Sequence, residues 1–186
     1  MVGPTVGKPA KRLPDEWTIP AASELDPLPQ GGLDGLCGVY SIINALPVAR
    51  HEGLPLPGRE ARRLFGAALH YLYEEEDLPE VLRFGMDHPT WIALAQDLAA
   101  RASTDSVKVA VKVARKPVSP KQRHAWIISE LAQAHTVLVH LPGYCHYSVI
   151  VAWTSSGFRL FDSHVRKRVR AAPMSVAISV SATLAG

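Results

Sequence analysis

Residues 30–44, QGGLDGLCGVYSIIN, constrain this chain more than any other stretch. Gln30 opens it, glycines and one Asp follow, and Cys37-Gly38 then leads into an apolar run. The loop of residues 30–36 is too rich in glycine to be helical, because each Gly costs about 1 kcal/mol inside a helix. From Gly38 onward, Val39, Ile42, Ile43 and Leu46 recur at helical spacing, and Pro47 is expected to stop the pattern. The reading is a short buried helix with one thiol in its first turn. Free N–H groups and the positive end of the helix dipole favour an anion there, and so favour thiolate over thiol. A cysteine so placed is either a packed core residue or a nucleophile. The rest of the chain decides between them.

The 186 residues suffice for one domain with a sizeable core. Apolar residues make up 47%, which is an ordinary globular composition and not a disordered one. A net charge of +3 is only mildly basic and argues little for nucleic-acid binding. Two cysteines, Cys37 and Cys145, do not make a secreted disulfide framework. The first residues lack the apolar centre of a signal peptide, and no apolar run is long enough to span a bilayer. The expectation is a cytoplasmic protein with a peptide or protein partner and no membrane.

Taken in order, Pro4, Pro9, Pro14, Pro20, Pro27 and Pro29 make residues 1–29 a proline-rich arm without regular helix or central strand. Trp17 and Ile19 are its expected anchors, and residues 30–186 form the domain. After a Gly/Pro loop at 51–58, residues 59–75 read as a helix with Leu64, Ala67, Ala68, Tyr71 and Leu72 on its apolar face. Its acidic end, 74–77, reads as a solvated run, although the dipole disfavours anions there. Residues 89–100 make a second helix. The segment 106–114, SVKVAVKVA, alternates as a half-buried strand does. Pro117 and Pro120 break the chain, and 122–134 are helical again. Strands follow at 136–141, 146–153 and 157–161, separated by turns, with two more at 165–169 and 174–180. Helices first and an antiparallel sheet second describe an α+β domain.

A nucleophilic thiol needs a base within hydrogen-bond reach, and the base needs an orienting partner. His146 opens the strand HYSVIVAW, whose remainder is apolar, so its imidazole can face a cleft. Asp162 closes the next strand, FRLFDS. In a hairpin the start of one strand lies beside the end of the other, which makes His146 and Asp162 neighbours. The carboxylate would hold the imidazole in one tautomer and stabilise its cation. A tetrahedral intermediate also needs donors aimed at its oxyanion. The Gln30 side-chain amide and the Cys37 backbone N–H are the candidates.

This set of residues resembles the papain-like cysteine peptidase superfamily: a Gln, a Gly-rich loop, Cys-Gly heading a helix, a distant His opening a strand, and an Asp one strand later. Within it the chain is most similar to the bacterial peptidases that remove leaders after a double glycine. The resemblance covers residues 30–46 and 144–163. It implies a helical lobe carrying Cys37, packed on an antiparallel sheet carrying His146 and Asp162. It also implies the roles: Gln30 as oxyanion donor, Cys37 as nucleophile, His146 as base and Asp162 as orienter, with no cofactor. The segment LCGVYSIINAL with the later HYSVIV is similar to Josephin-type deubiquitinases as well. Hydrolysis of a peptide or isopeptide bond is the expected activity. Acyl transfer to an amine, as in transglutaminase-like enzymes, and a catalytically silent partner-binding module are the alternatives.

His135, His140, Cys145, His146 and His164 lie close in sequence, but no metal-ligand spacing such as C-x-x-C joins them, so no metal site is expected. Cys145 reads as a packed strand residue. Arg166, Lys167, Arg168 and Arg170 read as a solvated edge guarding the sheet. Trp91, Trp126 and Trp153 read as core or cleft-wall aromatics.

Overall fold

A computed structural model describes residues 16–31, 34–50, 55–114, 119–164, 168–169 and 174–185. Among them are five α-helices and seven strands: β1 (Trp17–Thr18), α1 (Cys37–Arg50), α2 (Gly58–Glu75), α3 (Leu78–Phe84), α4 (His88–Ala102), β2 (Val107–Val113), α5 (Pro120–Leu131), β3 (Thr136–Leu141), β4 (His146–Thr154), β5 (Gly157–Leu160), β6 (Arg168–Val169) and β7 (Ala177–Leu184). Every strand pairing is antiparallel, in the order β2-β7-β3-β4-β5-β6. Four helices precede most of the sheet, so the chain is α+β.

The core forms where α1 lies against β4, β3 and β7. Val39, Ile42, Ile43, Ala45 and Leu46 are fully or almost fully buried. Helix α4 packs on β2 and α1, and α2 packs on α4. Helix α5 packs on β3, β4 and β7. Strand β4 is buried along its length apart from its two ends, as a central strand covered on both faces must be.

The described part of the proline-rich arm, residues 16–29, joins this body. Strand β1 pairs with β4, Trp17 opposite Trp153, and the Ile19 N–H continues to the Val151 carbonyl at 2.9 Å. Strand β3 ends opposite β4 at Ile150, so β1 takes over the vacated edge. Ile19 is buried, but Trp17 is exposed, so of the two expected anchors the isoleucine carries the packing. Farther on, the buried Asn44 of α1 accepts from the Leu28 N–H at 2.7 Å and donates to the Leu28 carbonyl at 3.2 Å. That exchange fixes the arm two residues before Gln30.

Several elements differ from their sequence signals. Pro47 does not stop α1, which runs to Arg50. The final turn is held from outside: Val48 is buried, and the buried Arg50 donates from Nη1 to the Ala102 carbonyl at 2.9 Å. Tertiary contacts override the lost N–H. Pro120 opens α5 instead of breaking it, because proline suits the first helical position, where its N–H is not needed. Helix α3 carries no long periodic pattern. Asp77 caps it by accepting from the Glu80 N–H, and Pro79 lies in its first turn. The acidic run 74–77 is therefore partly the start of α3 and not only the end of α2. Strand β7 runs later than expected, and of the strand expected at 165–169 only β6 falls within the described residues. Of the basic cluster only Arg168 does; it is exposed.

Candidate active site

Glycine sets the place of the thiol. A Cβ at Gly35 would lie 2.7 Å from both the Gly85 nitrogen and the Val81 carbonyl, because the loop runs directly over the end of α3. The Gly35 N–H donates to the Leu82 carbonyl at 2.7 Å. At Gly38 a Cβ would meet the Met86 sulfur at 3.1 Å and the Trp91 ring at 3.2 Å. The buried Trp91 donates from its indole to the Gly38 carbonyl at 3.3 Å and to Ser41 Oγ at 3.2 Å. Between these two contacts sits Cys37, the first residue of α1, buried and unpaired with any cysteine.

His146 is the first residue of β4, opposite Leu141 of β3. Its Nε2 lies 3.0 and 3.1 Å from the two oxygens of Asp162. A β-bulge separates Ile150 and Ala152 in the β4–β5 hairpin, and Ile150 pairs with Leu160. The Phe161 N–H then donates to the Val149 carbonyl at 2.8 Å. Continuing that register sets Asp162 beside Ser148, and the carboxylate reaches from there to both Ser148 and His146. Ser148 Oγ donates to Oδ2, and the His164 N–H donates to Oδ1 at 2.7 Å.

The charges follow from these partners. Burial alone would raise the Asp162 carboxyl, but the hydrogen bonds from His146, Ser148 and the His164 backbone outweigh it and hold it below its ordinary range. Burial alone would lower His146. The bond to Asp162, a hydrogen bond to Cys37 and the charges of both instead raise it to about 9. Asp162 bonds the ring at Nε2, and Cys37 lies close enough to add to the same rise. Since Nε2 is committed to the carboxylate, Nδ1 is the nitrogen left for the sulfur. At neutral pH this is an imidazolium held by a buried carboxylate beside the cysteine that starts α1. Such a site can attack an electrophilic carbonyl carbon and hand a proton to the leaving group.

Gln30 shares this corner. Its backbone N–H donates to the Ser163 carbonyl at 2.9 Å, next to Asp162. Its Nε2 donates to the Asp34 carbonyl at 2.7 Å and to Asp34 Oδ1 at 3.1 Å, so the amide hydrogens are turned onto the loop. Asp34 Oδ1 also accepts from the Leu36 N–H at 3.1 Å, one residue before the thiol.

Cys145 is not a packed strand residue. It is exposed, ends the turn after β3 and adopts a left-handed backbone with φ 47°. Trp91 and Trp153 are buried, whereas Trp126 is half-buried and lies under the Lys112 ammonium.

Sequence reading missed Ser148, Asp34 and Tyr147. For Ser148 a signal existed: it is the polar residue two places after His146 in an otherwise apolar strand, hence on the same side. Tyr147 gave none, because its partners Met86 and His88 come from a distant part of the chain, and Asp34, whose partners Gln30 and Leu36 are local, read only as one polar residue of a glycine loop. No protein-family model matches this chain, and no curated protein matches it in sequence.

Proposed function

We propose that the protein is a papain-like thiol hydrolase that cleaves a peptide or isopeptide bond. The observation that carries the reading is the buried Asp162 carboxylate hydrogen-bonded to His146, whose pKa is raised by that carboxylate and by the neighbouring Cys37. A structural cysteine needs no such partner, and a solvated strand-end histidine needs no buried counter-ion.

In this mechanism the Cys37 sulfur attacks the carbonyl carbon and a tetrahedral oxyanion forms. The backbone N–H of Cys37 is one donor to it. The Gln30 amide is the second, once it turns from Asp34 toward the substrate. His146 gives its Nδ1 proton to the departing amine nitrogen as the carbon–nitrogen bond breaks, leaving a thioester on Cys37. The neutral imidazole then takes a proton from water, whose oxygen attacks the thioester. Carboxylic acid leaves, and the thiolate–imidazolium pair is restored. Asp162 stays ionised throughout, orienting the ring and stabilising its cation.

The direct test is capture of the nucleophile. Peptides carrying a C-terminal aldehyde or vinyl electrophile should modify Cys37 and leave Cys145 untouched, with Cys37→Ala abolishing capture while the fold survives. Equal modification of both thiols would mean that Cys37 has no special reactivity.

A further inference from the structure

The residue after the proposed base is bound to both sides of the thiol helix's first turn. Tyr147 is 5% exposed. Its hydroxyl donates to the Met86 carbonyl at 3.1 Å, and its ring lies on Trp91 with centroids 4.4 Å apart. Met86 and Trp91 are the same two residues whose side chains close on Gly38. A continuous path therefore runs from His146 through Tyr147 to Met86 and Trp91, and from them to Gly38 and Cys37.

A second set of hydrogen bonds fixes the phenol from outside. The Met86 carbonyl can only accept, so the Tyr147 hydrogen goes to it. The Tyr147 oxygen must then accept from His88 Nδ1, 2.8 Å away. A neutral His88 keeps its lone pair on Nε2, which accepts from the Ser175 hydroxyl at 3.2 Å. Ser175 Oγ in turn accepts from His140 Nδ1 at 2.6 Å. The order of donors is thus set along the whole chain, from His140 on β3 to Met86 between α3 and α4. Burial, and then the charge of His146 nearby, hold His140 down to about 4, so it stays neutral and keeps its place in that order. Burial, then the charges of Cys37 and Asp87, raise the Tyr147 phenol, so it too stays protonated.

We propose that Tyr147 is a positioning residue: with His88 behind it, it locks the strand that carries His146 to the helix turn that carries Cys37, and so sets the sulfur–imidazole contact. The proposal rests on the thiol hydrolase reading above. A displacement of about 1 Å between reacting groups can cost around a hundredfold in rate. The Tyr147 ring alone would keep the layers packed but leave their sliding unopposed; the hydroxyl adds the direction.

The test is the rate of Cys37 alkylation by iodoacetamide from pH 5 to 9.5, with Cys145→Ser as the parent so that one thiol reports. Tyr147→Phe keeps the ring and removes only the two hydrogen bonds. It should lose roughly tenfold or more of the parent rate at pH 6, with the rate at pH 9.5 unchanged, because there the free thiolate needs no partner. His88→Ala should give the same loss, and His88→Asn should restore it, since the Asn amide nitrogen can stand where Nδ1 stood. His88 is half-buried, so this pair serves even where Tyr147→Phe fails to fold. Variant profiles that superimpose on the parent's, or fall by one factor at every pH, overturn the positioning role while leaving the hydrolase reading intact. A parent without reactivity at pH 6 overturns both.

Discussion

His146 presents Nε2, and not Nδ1, to the Asp162 carboxylate, at 3.0 and 3.1 Å from its two oxygens. The choice of nitrogen decides what the site can do, since it leaves Nδ1 for Cys37. The carboxylate has no water-facing freedom to lose: Asp162 is buried and also bonded by Ser148 and the His164 N–H.

Removing that carboxylate should therefore act through the imidazole. Asp162→Ala should lower the His146 pKa and cut Cys37 alkylation at pH 6 by about tenfold or more, since one unit of pKa is a tenfold change in the cation's favour. Asp162→Asn should do less, because its amide oxygen still orients the ring. NMR titration of His146 gives the pKa directly.

The same shift links stability to pH. The folded-state value for His146, about 9, lies above its ordinary 6.5. Its contribution is fully present below pH 6.5 and is lost as pH rises through 9. Asp162 has the opposite sign: its depressed carboxyl contributes above its ordinary range, and that contribution is lost on acidification. Thermal melting should accordingly fall between pH 6.5 and 9.5 more steeply in the wild type than in His146→Ala. Parallel curves would contradict the linkage.

Gln30 gives a kinetic prediction. If its amide stabilises the oxyanion, Gln30→Ala should lower kcat by roughly a hundredfold with KM nearly unchanged. A raised KM with normal kcat would reassign it to substrate binding. Asp34→Ala tests the side-chain part of the resting contact: it removes the bond to Oδ1 while the bond to the residue-34 carbonyl remains, and should raise or preserve kcat if the carboxylate merely helps to park the amide.

Gly35 gives a structural one. A methyl group there meets two backbone atoms at 2.7 Å, neither of which can swing aside. Gly35→Ala should cost about 1–3 kcal/mol, the usual range for overpacking. It should also depress Cys37 reactivity, because the loop it displaces leads straight into the thiol. Urea denaturation measures the first effect.

What the sequence disclosed divides along a physical line. Signals local to a segment were legible: the alternating valines of β2, the apolar β3 and β4, and the glycine loop entering α1. The hairpin that brings His146 near Asp162 was legible too, since adjacency in a hairpin needs no distant partner. Its bulge was not, and the bulge decides that Asp162 lies beside Ser148 and serves two side chains. Features set by distant packing stayed hidden. Pro47 stays inside α1, whose last turn is tied down by the Arg50 bond to the Ala102 carbonyl, and α3 is a seven-residue helix that opens on the Asp77 cap. Residues 32–33, 51–54, 115–118, 165–167 and 170–173 lie outside the described structure, and with them Arg166, Lys167 and Arg170.

The central claim is that Cys37 and His146 form one ion pair, and the pH dependence of Cys37 alkylation tests it most directly. With Cys145 replaced by Ser, the iodoacetamide rate should already be high near pH 6. It should stay high toward pH 9, and in His146→Ala collapse to the curve of an isolated thiol titrating near about 8.5. A wild-type rate that rises only above pH 8, unmoved by His146→Ala, would contradict the pair and leave Cys37 a packed residue of the helix start.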